Sequence, residues 1–130
     1  MHAGGFRCGY GKVRDFLKGK SEKRRLLLDE RYERACQDFE GIVVRVANEL
    51  NPLRIYQWGS LLDRKRFSEI SDIDIAVEGL NGPEDYFRTV GIAMDMTSFP
   101  MDVVEIEKVP QDVADRIRKK GRVVYERKDL

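Results

Sequence analysis

The sequence predicts a single α/β domain, a small mixed sheet flanked by helices, and three observations carry that reading. Apolar residues from Leu28 to Leu50 recur at three- and four-residue steps until Asn51-Pro52 stops the run. The segment Asp72-Ile73-Asp74-Ile75-Ala76-Val77 alternates strictly, as a strand with two different faces does. Downstream, Pro83 and Pro110 each open an apolar-periodic run, with strand-like segments between and after them.

Residues 1–20 contain Gly4, Gly5, Gly9, Gly11 and Gly19 without an apolar period and read as a flexible leader, with at most a helical turn around Val13 to Leu17. Two glycine–lysine fragments there imitate phosphate loops, but neither follows an apolar strand or keeps the required spacing. The domain proper is expected to span residues 21–130. It opens with a helix from Ser21 to Leu50, and Leu28, Tyr32, Ala35, Cys36, Phe39, Ile42, Val43, Val46, Ala47 and Leu50 form its core-facing stripe. At ~1.5 Å per residue this helix reaches roughly 45 Å, more than a domain of this length is wide. Part of it therefore projects, and Leu26 and Leu27 in its first turns are placed to cover a partner.

Leu53 to Trp58 reads as a strand ended by Gly59-Ser60, Leu61 to Phe67 as a short helix or turn, and Ser68 to Ser71 as a polar loop. In the next strand Asp72, Asp74 and Ala76 share one face while Ile73, Ile75 and Val77 point to the core. After a turn at Gly79 to Gly82, the helix opened by Pro83 is expected to face Phe87, Val90 and Met94 inward. A third strand runs from Asp102 to Ile106. The last helix starts at Pro110, buries Val113 and Ile117 and ends at Gly121, before a short strand at Val123 to Tyr125.

With 130 residues, 42% of them hydrophobic, the chain has the length of one domain and argues against a multidomain enzyme. No stretch approaches the ~20 apolar residues of a membrane span and no signal-peptide core is present, so a cytoplasmic protein without membrane contact is expected. Cys8 and Cys36 have no metal or disulfide spacing and are expected to be reduced. A net charge of +1 gives no global argument for nucleic acid as a partner. The distribution of charge says more. Residues 1–34 hold ten basic and five acidic side chains, residues 69–107 ten acidic against Arg88 alone, and residues 112–130 seven basic and four acidic. The acidic stretch, with Asp72, Asp74, Asp102 and Glu105, is either solvated surface or a place for cations.

The motif decides between those readings. Carboxylates at i and i+2 of a strand stand side by side with Cα atoms about 6.5 Å apart, a spacing that admits two divalent ions ~3.5–4 Å apart together with triphosphate oxygens. A third carboxylate, Asp102 at a strand start, completes the set from a neighbouring strand. Gly59 lets the backbone come close to phosphate, and the Ser60 hydroxyl and nearby N–H groups can donate to its oxygens. An isolated pair of aspartates on a strand edge is ordinarily solvated surface. Their combination with Gly-Ser after a strand, interleaved isoleucines and a third strand-initial aspartate reads as a phosphoryl-transfer site. Strand alternation points Glu105 away from Asp102. The lone histidine, His2, lies in the leader, which argues against a histidine base. Tyr56 and Trp58 read as core rather than as stacking partners of a base.

Trp58-Gly59-Ser60, followed by Ser71-Asp72-Ile73-Asp74-Ile75, resembles the minimal nucleotidyltransferases of the DNA polymerase β superfamily, and the resemblance covers about Leu53 to Tyr125. It implies a polymerase β-like fold in which Asp72 and Asp74 bind two magnesium ions and Asp102 ligates the ion that activates the acceptor. It also implies that Gly59 and Ser60 hold the nucleoside triphosphate. Arg64 and Lys65 are candidates for the phosphates, against a reading in which Arg64, Lys65 and Arg66 are a solvated basic turn. The loop between Ser60 and Asp72 holds eleven residues, one more than the family's usual spacing, and Leu61-Leu62-Asp63-Arg64 replaces its small residue and Arg-Gly pair.

Members of this family are often paired with a helical HEPN-domain ribonuclease toxin, which the nucleotidyltransferase, as antitoxin, adenylylates on tyrosine. The function expected from the resemblance is magnesium-dependent transfer of AMP from ATP to a hydroxyl of such a toxin. The alternatives are a non-catalytic antitoxin that binds its toxin mole for mole, or the same chemistry on a small molecule or an RNA end. The absence of a continuous basic stripe argues against nucleic acid.

Overall fold

The computed structural model describes the backbone of residues 3–129 and the side chains of residues 12–129. His2 and the Cys8 side chain lie outside the described residues. Three helices and four strands follow in the order α1 (Ala3–Leu50), β1 (Arg54–Trp58), β2 (Ile73–Glu78), α2 (Pro83–Met96), β3 (Met101–Glu105), α3 (Gln111–Lys120) and β4 (Arg122–Glu126). The sheet order is β3-β2-β1-β4. β1 pairs antiparallel with both β2 and β4, and β2 pairs parallel with β3 across the α2 crossover. This is the mixed sheet flanked by helices that the alternation and the proline-opened runs predict.

Each strand divides its residues between two cores, because successive side chains point to opposite faces. Ile73, Ile75 and Val77 pack with Phe39, Ile42 and Val46 of α1 and with Ile92 and Ala93 of α2. On the other face Tyr56 and Ala76 meet Ala114 and Ile117 of α3. Glu78 ties this second layer together, accepting hydrogen bonds from Tyr56 Oη at 2.9 Å and Arg118 Nη2 at 2.8 Å. Burial alone would raise its carboxyl, but these donors and Arg54 outweigh burial and hold it below its ordinary value.

Helix α1 ends where expected. Asn51 turns into the left-handed region at φ 45° and its N–H closes the last turn on the Ala47 carbonyl at 3.0 Å. At the other end the helix begins at Ala3 instead of Ser21, so it runs back through the segment read as a leader. The stretch from Lys12 to Leu27 is exposed at every position and therefore has no buried stripe to reveal it. What supports it is local: Lys, Arg, Leu and Glu dominate there, and these lose little freedom in a helix. Forty-eight residues at ~1.5 Å each make a rod of roughly 72 Å.

One expected face is wrong. Phe87 and Met94 of α2 are 68% and 72% exposed, and the helix instead buries Thr89, Ile92 and Ala93. The two sets lie on different sides of a 3.6-residue helix, and the buried one includes a polar residue that apolar periodicity passes over. Thr89 enters the core because its hydroxyl donates to the Asp85 carbonyl at 2.8 Å, which leaves no polar atom unmet.

Candidate active site

Sheet register brings the candidate residues to one end of one face. Trp58 is paired with Asp74, and Asp74 with Asp102, so Trp58, Asp74 and Asp102 form a row across β1, β2 and β3. Neighbouring strands are ~4.8 Å apart, which sets the two carboxylates beside each other on the face that also carries Ala76. The antiparallel turn from β1 places Gly59 and Ser60 just beyond this row. Asp72 stands one residue before β2, on exposed backbone. The N–H of Ile73 donates to the Pro100 carbonyl at 2.9 Å and so locks the starts of β2 and β3 together.

Gly59 is required twice over. Its φ is +78°, and a Cβ built on it would lie 2.1 Å from Asp74 Oδ2. The carboxylate of Asp74 therefore rests directly on the Gly59 backbone, and any side chain would push it out of the row. Beyond Gly59 the chain makes two short turns, Gly59–Leu62 and Arg64–Arg66. Tyr32 of α1 pins the first by donating to the Leu61 carbonyl at 3.0 Å, and its ring meets Phe67 edge-on at 5.3 Å.

The electrostatics mark a site without a counter-charge. Burial, and then the negative charges of Asp102 and Asp72, push Asp74 from 3.8 up to about 6. None of the ion pairs among the described residues involves Asp72, Asp74 or Asp102. Divalent cations fit this donor set, since hard carboxylate oxygens with no arginine or lysine partner are the ligands magnesium prefers. The fit is to a half-built site. Among the described residues no three acidic, histidine or cysteine side chains converge into a ready-made cage. The paired strands hold Asp74 and Asp102, while Asp72 lies outside β2, and repulsion keeps charged groups apart when no cation is between them.

Arg64 is not brought to the carboxylates. Its Nε donates to Asp29 Oδ1 of α1 at 2.7 Å, its Nη2 pairs with the same carboxylate, and its guanidinium lies over the Tyr32 ring. Lys65 is exposed, and its backbone N–H goes to the Asp63 carboxylate. Sequence reading missed the α1 residues that hold this loop, Asp29 and Tyr32. A polar or aromatic side chain on a helix carries no sign of a loop partner about thirty residues away. Tyr56 is buried, as expected of core. Trp58 packs only partly against the α3-side core, and its indole N–H is buried without a partner.

Comparison with known proteins bears on the family and the fold. The family model described as Polymerase beta, Nucleotidyltransferase matches residues 40–130. No curated protein matches the chain. Among solved structures, a toxin–antitoxin crystal structure with AMP-PNP superposes with a TM-score of 0.55 at 17% identity, covering 69% of this chain and 75% of that one. A mutant of the toxin–antitoxin MntA–HpeT with two Asp-to-Glu changes gives 0.54 at 14% identity, over 69% of this chain and 75% of that one. A Tyr-to-Ala mutant of MntA–HpeT gives 0.50 at 17% identity, over 69% and 74%. At these identities the likeness is one of fold.

Proposed function

The chain belongs to the polymerase β nucleotidyltransferase family, and from that membership we propose that it transfers AMP from ATP to a tyrosine hydroxyl of a partner toxin and so acts as an antitoxin. The observation that carries the reading is the row of Asp74 and Asp102 beside a side-chain-free Gly59. In it, an anionic cluster with no basic side-chain partner among the described residues adjoins a backbone surface open to phosphate. The solved toxin–antitoxin structures of the same fold, one with AMP-PNP, support the choice of partner and nucleotide. The resemblance drawn from the motif supports a helical HEPN-type toxin and a tyrosine acceptor.

In this reading the Gly59–Ser60 turn receives the β- and γ-phosphates through its N–H groups and the Ser60 hydroxyl, which aligns the α-phosphorus with the carboxylate row. Exposed Lys65 is available to the outer phosphates, and Arg64 can join it only by leaving Asp29. The hydroxyl oxygen attacks the α-phosphorus in line, the bond from that phosphorus to the oxygen bridging to the β-phosphate breaks, and pyrophosphate leaves. Asp102, exposed on the edge strand, accepts the hydroxyl proton. Two magnesium ions, when bound by Asp72, Asp74 and Asp102, supply charge neutralisation at the phosphates.

The test is stoichiometric. A tenfold molar excess of the toxin is incubated with the protein, ATP and magnesium, and intact mass and ribonuclease activity are measured. The expected result is an added AMP mass on a toxin tyrosine throughout the excess, with ribonuclease activity lost. Protection that stops at one-to-one, needs no ATP and survives Asp74→Asn would replace transfer by binding alone.

A further inference from the structure

The exposed half of α1 is not a featureless rod. Lys20, Lys23, Arg24, Leu27, Leu28 and Arg31 of α1 line, together with Glu69, one open groove of about 350 Å³. Their spacing of three and four residues puts them on one face of the helix. The apolar side continues toward the N-terminus, where Phe16 and Leu17 are 64% and 58% exposed, and Leu27 is 58% exposed. Residues 12–25 carry seven basic and two acidic side chains. Among the described residues no carboxylate pairs with Lys20, Lys23, Arg24 or Arg31. Arg31 also has a buried Nε without a hydrogen-bond partner, while its guanidinium lies 4.5 Å from the Phe99 ring centroid.

We propose that this face of α1 is a docking surface for an acidic amphipathic helix of a partner protein. Two features together select that occupant. The unpaired cations ask for carboxylates, and the leucines and Phe16 between them ask for apolar side chains at helical spacing, the pattern of a helix laid in a groove. A second copy of the chain would bring Lys20, Lys23 and Arg24 against their own counterparts, because a two-fold contact uses the same face twice. A nucleic acid would neutralise the cations but leave the leucines in water.

Apart from Glu69, the surface lies outside the part of the chain that the family model matches, residues 40–130. It rises from the end of the domain that carries the carboxylates. The residues that follow it on α1 hold that end: Asp29 pairs with Arg64, Tyr32 donates to Leu61, and Arg31 covers Phe99, three residues before Asp102. A helix docked there is thus held beside the active end of the sheet. This consequence, unlike the surface itself, rests on the transfer reading.

The test is binding, which needs no transfer. A fluorescent peptide designed as an amphipathic helix of leucine and glutamate is titrated with the full-length protein at low and at physiological salt and followed by anisotropy. Its probes for comparison are a scrambled peptide of equal composition, a lysine-for-glutamate version and an oligouridylate. Lys20→Glu/Lys23→Glu and Leu27→Ser, all at exposed positions, are checked for unchanged circular dichroism. The expected result is binding of the acidic amphipathic peptide alone, at least tenfold weaker in each variant and weaker with salt. The proposal is overturned if the scrambled peptide binds as well, if the oligouridylate binds more tightly, or if neither variant changes the affinity. It is equally overturned if sedimentation shows a dimer that Leu27→Ser dissolves.

Discussion

At the scale of single residues the site depends on one aspartate resting on one glycine. Burial and the neighbouring charges of Asp102 and Asp72 hold Asp74 at about 6, against 3.8 for an ordinary aspartate. Between those values the folded chain binds a proton that the unfolded chain has released, so the metal-free protein loses stability as pH rises from about 4 to about 6. Above that range the loss is complete and constant. Asp74→Asn should therefore melt higher than the parent near pH 8 in EDTA, by on the order of 1 kcal/mol once the partial exposure of the group is allowed for. The advantage should vanish below pH ~4. A parent more stable than the variant at pH 8 would mean that the cluster is already compensated. Gly59→Ala is expected to cost about 1–2 kcal/mol through its left-handed backbone. By displacing Asp74 it should lower transfer on the order of a hundredfold, read as initial rates beside a thermal melt.

At the scale of elements, β3 separates the two acidic residues that a motif search would treat alike. Asp102 is in register with Asp74, whereas Glu105 is in register with Val77, on the opposite face. Asp102→Asn should nearly abolish transfer and Glu105→Gln should leave it within about twofold. The reverse ranking would place β3 one residue out of register. Helix α2 offers a second contrast: Ile92→Ala should cost about 2–4 kcal/mol and Phe87→Ala less than about 1, measured by urea unfolding. The strands and their facing were legible because Asp72 to Val77 alternates with a period that only a strand satisfies. The inward face of α2 was not. Its apolar residues Phe87, Val90 and Met94 form a plausible stripe, and a threonine that meets its own hydrogen bond takes the core position instead. That Gly59, Asp74 and Asp102 come together was legible from their order along the chain, whereas Asp72, expected on the strand, stands one residue before it. The anchoring of Arg64 by Asp29 was hidden, since it depends on how α1 lies over the loop.

At the scale of the molecule, a helix of roughly 72 Å packs its C-terminal part on a mixed sheet and exposes, between Lys12 and Leu27, a basic and apolar face. Helix without tertiary burial frays readily, so limited trypsin should cut first after the lysines and arginines between Lys12 and Arg25, leaving the sheet and its helices intact. Early resistance of that segment would show that something already covers it in solution. The family sets the chemistry within this frame, and the labelled nucleotide reads that chemistry most directly. ATP labelled at the α-phosphate and ATP labelled at the γ-phosphate are incubated separately with the protein, magnesium and the toxin. The α label should appear on the toxin and the γ label in pyrophosphate, with both signals lost in Asp74→Asn. Transfer of the γ label to protein, or α-label transfer that survives Asp74→Asn, would contradict nucleotidyl transfer at this carboxylate row.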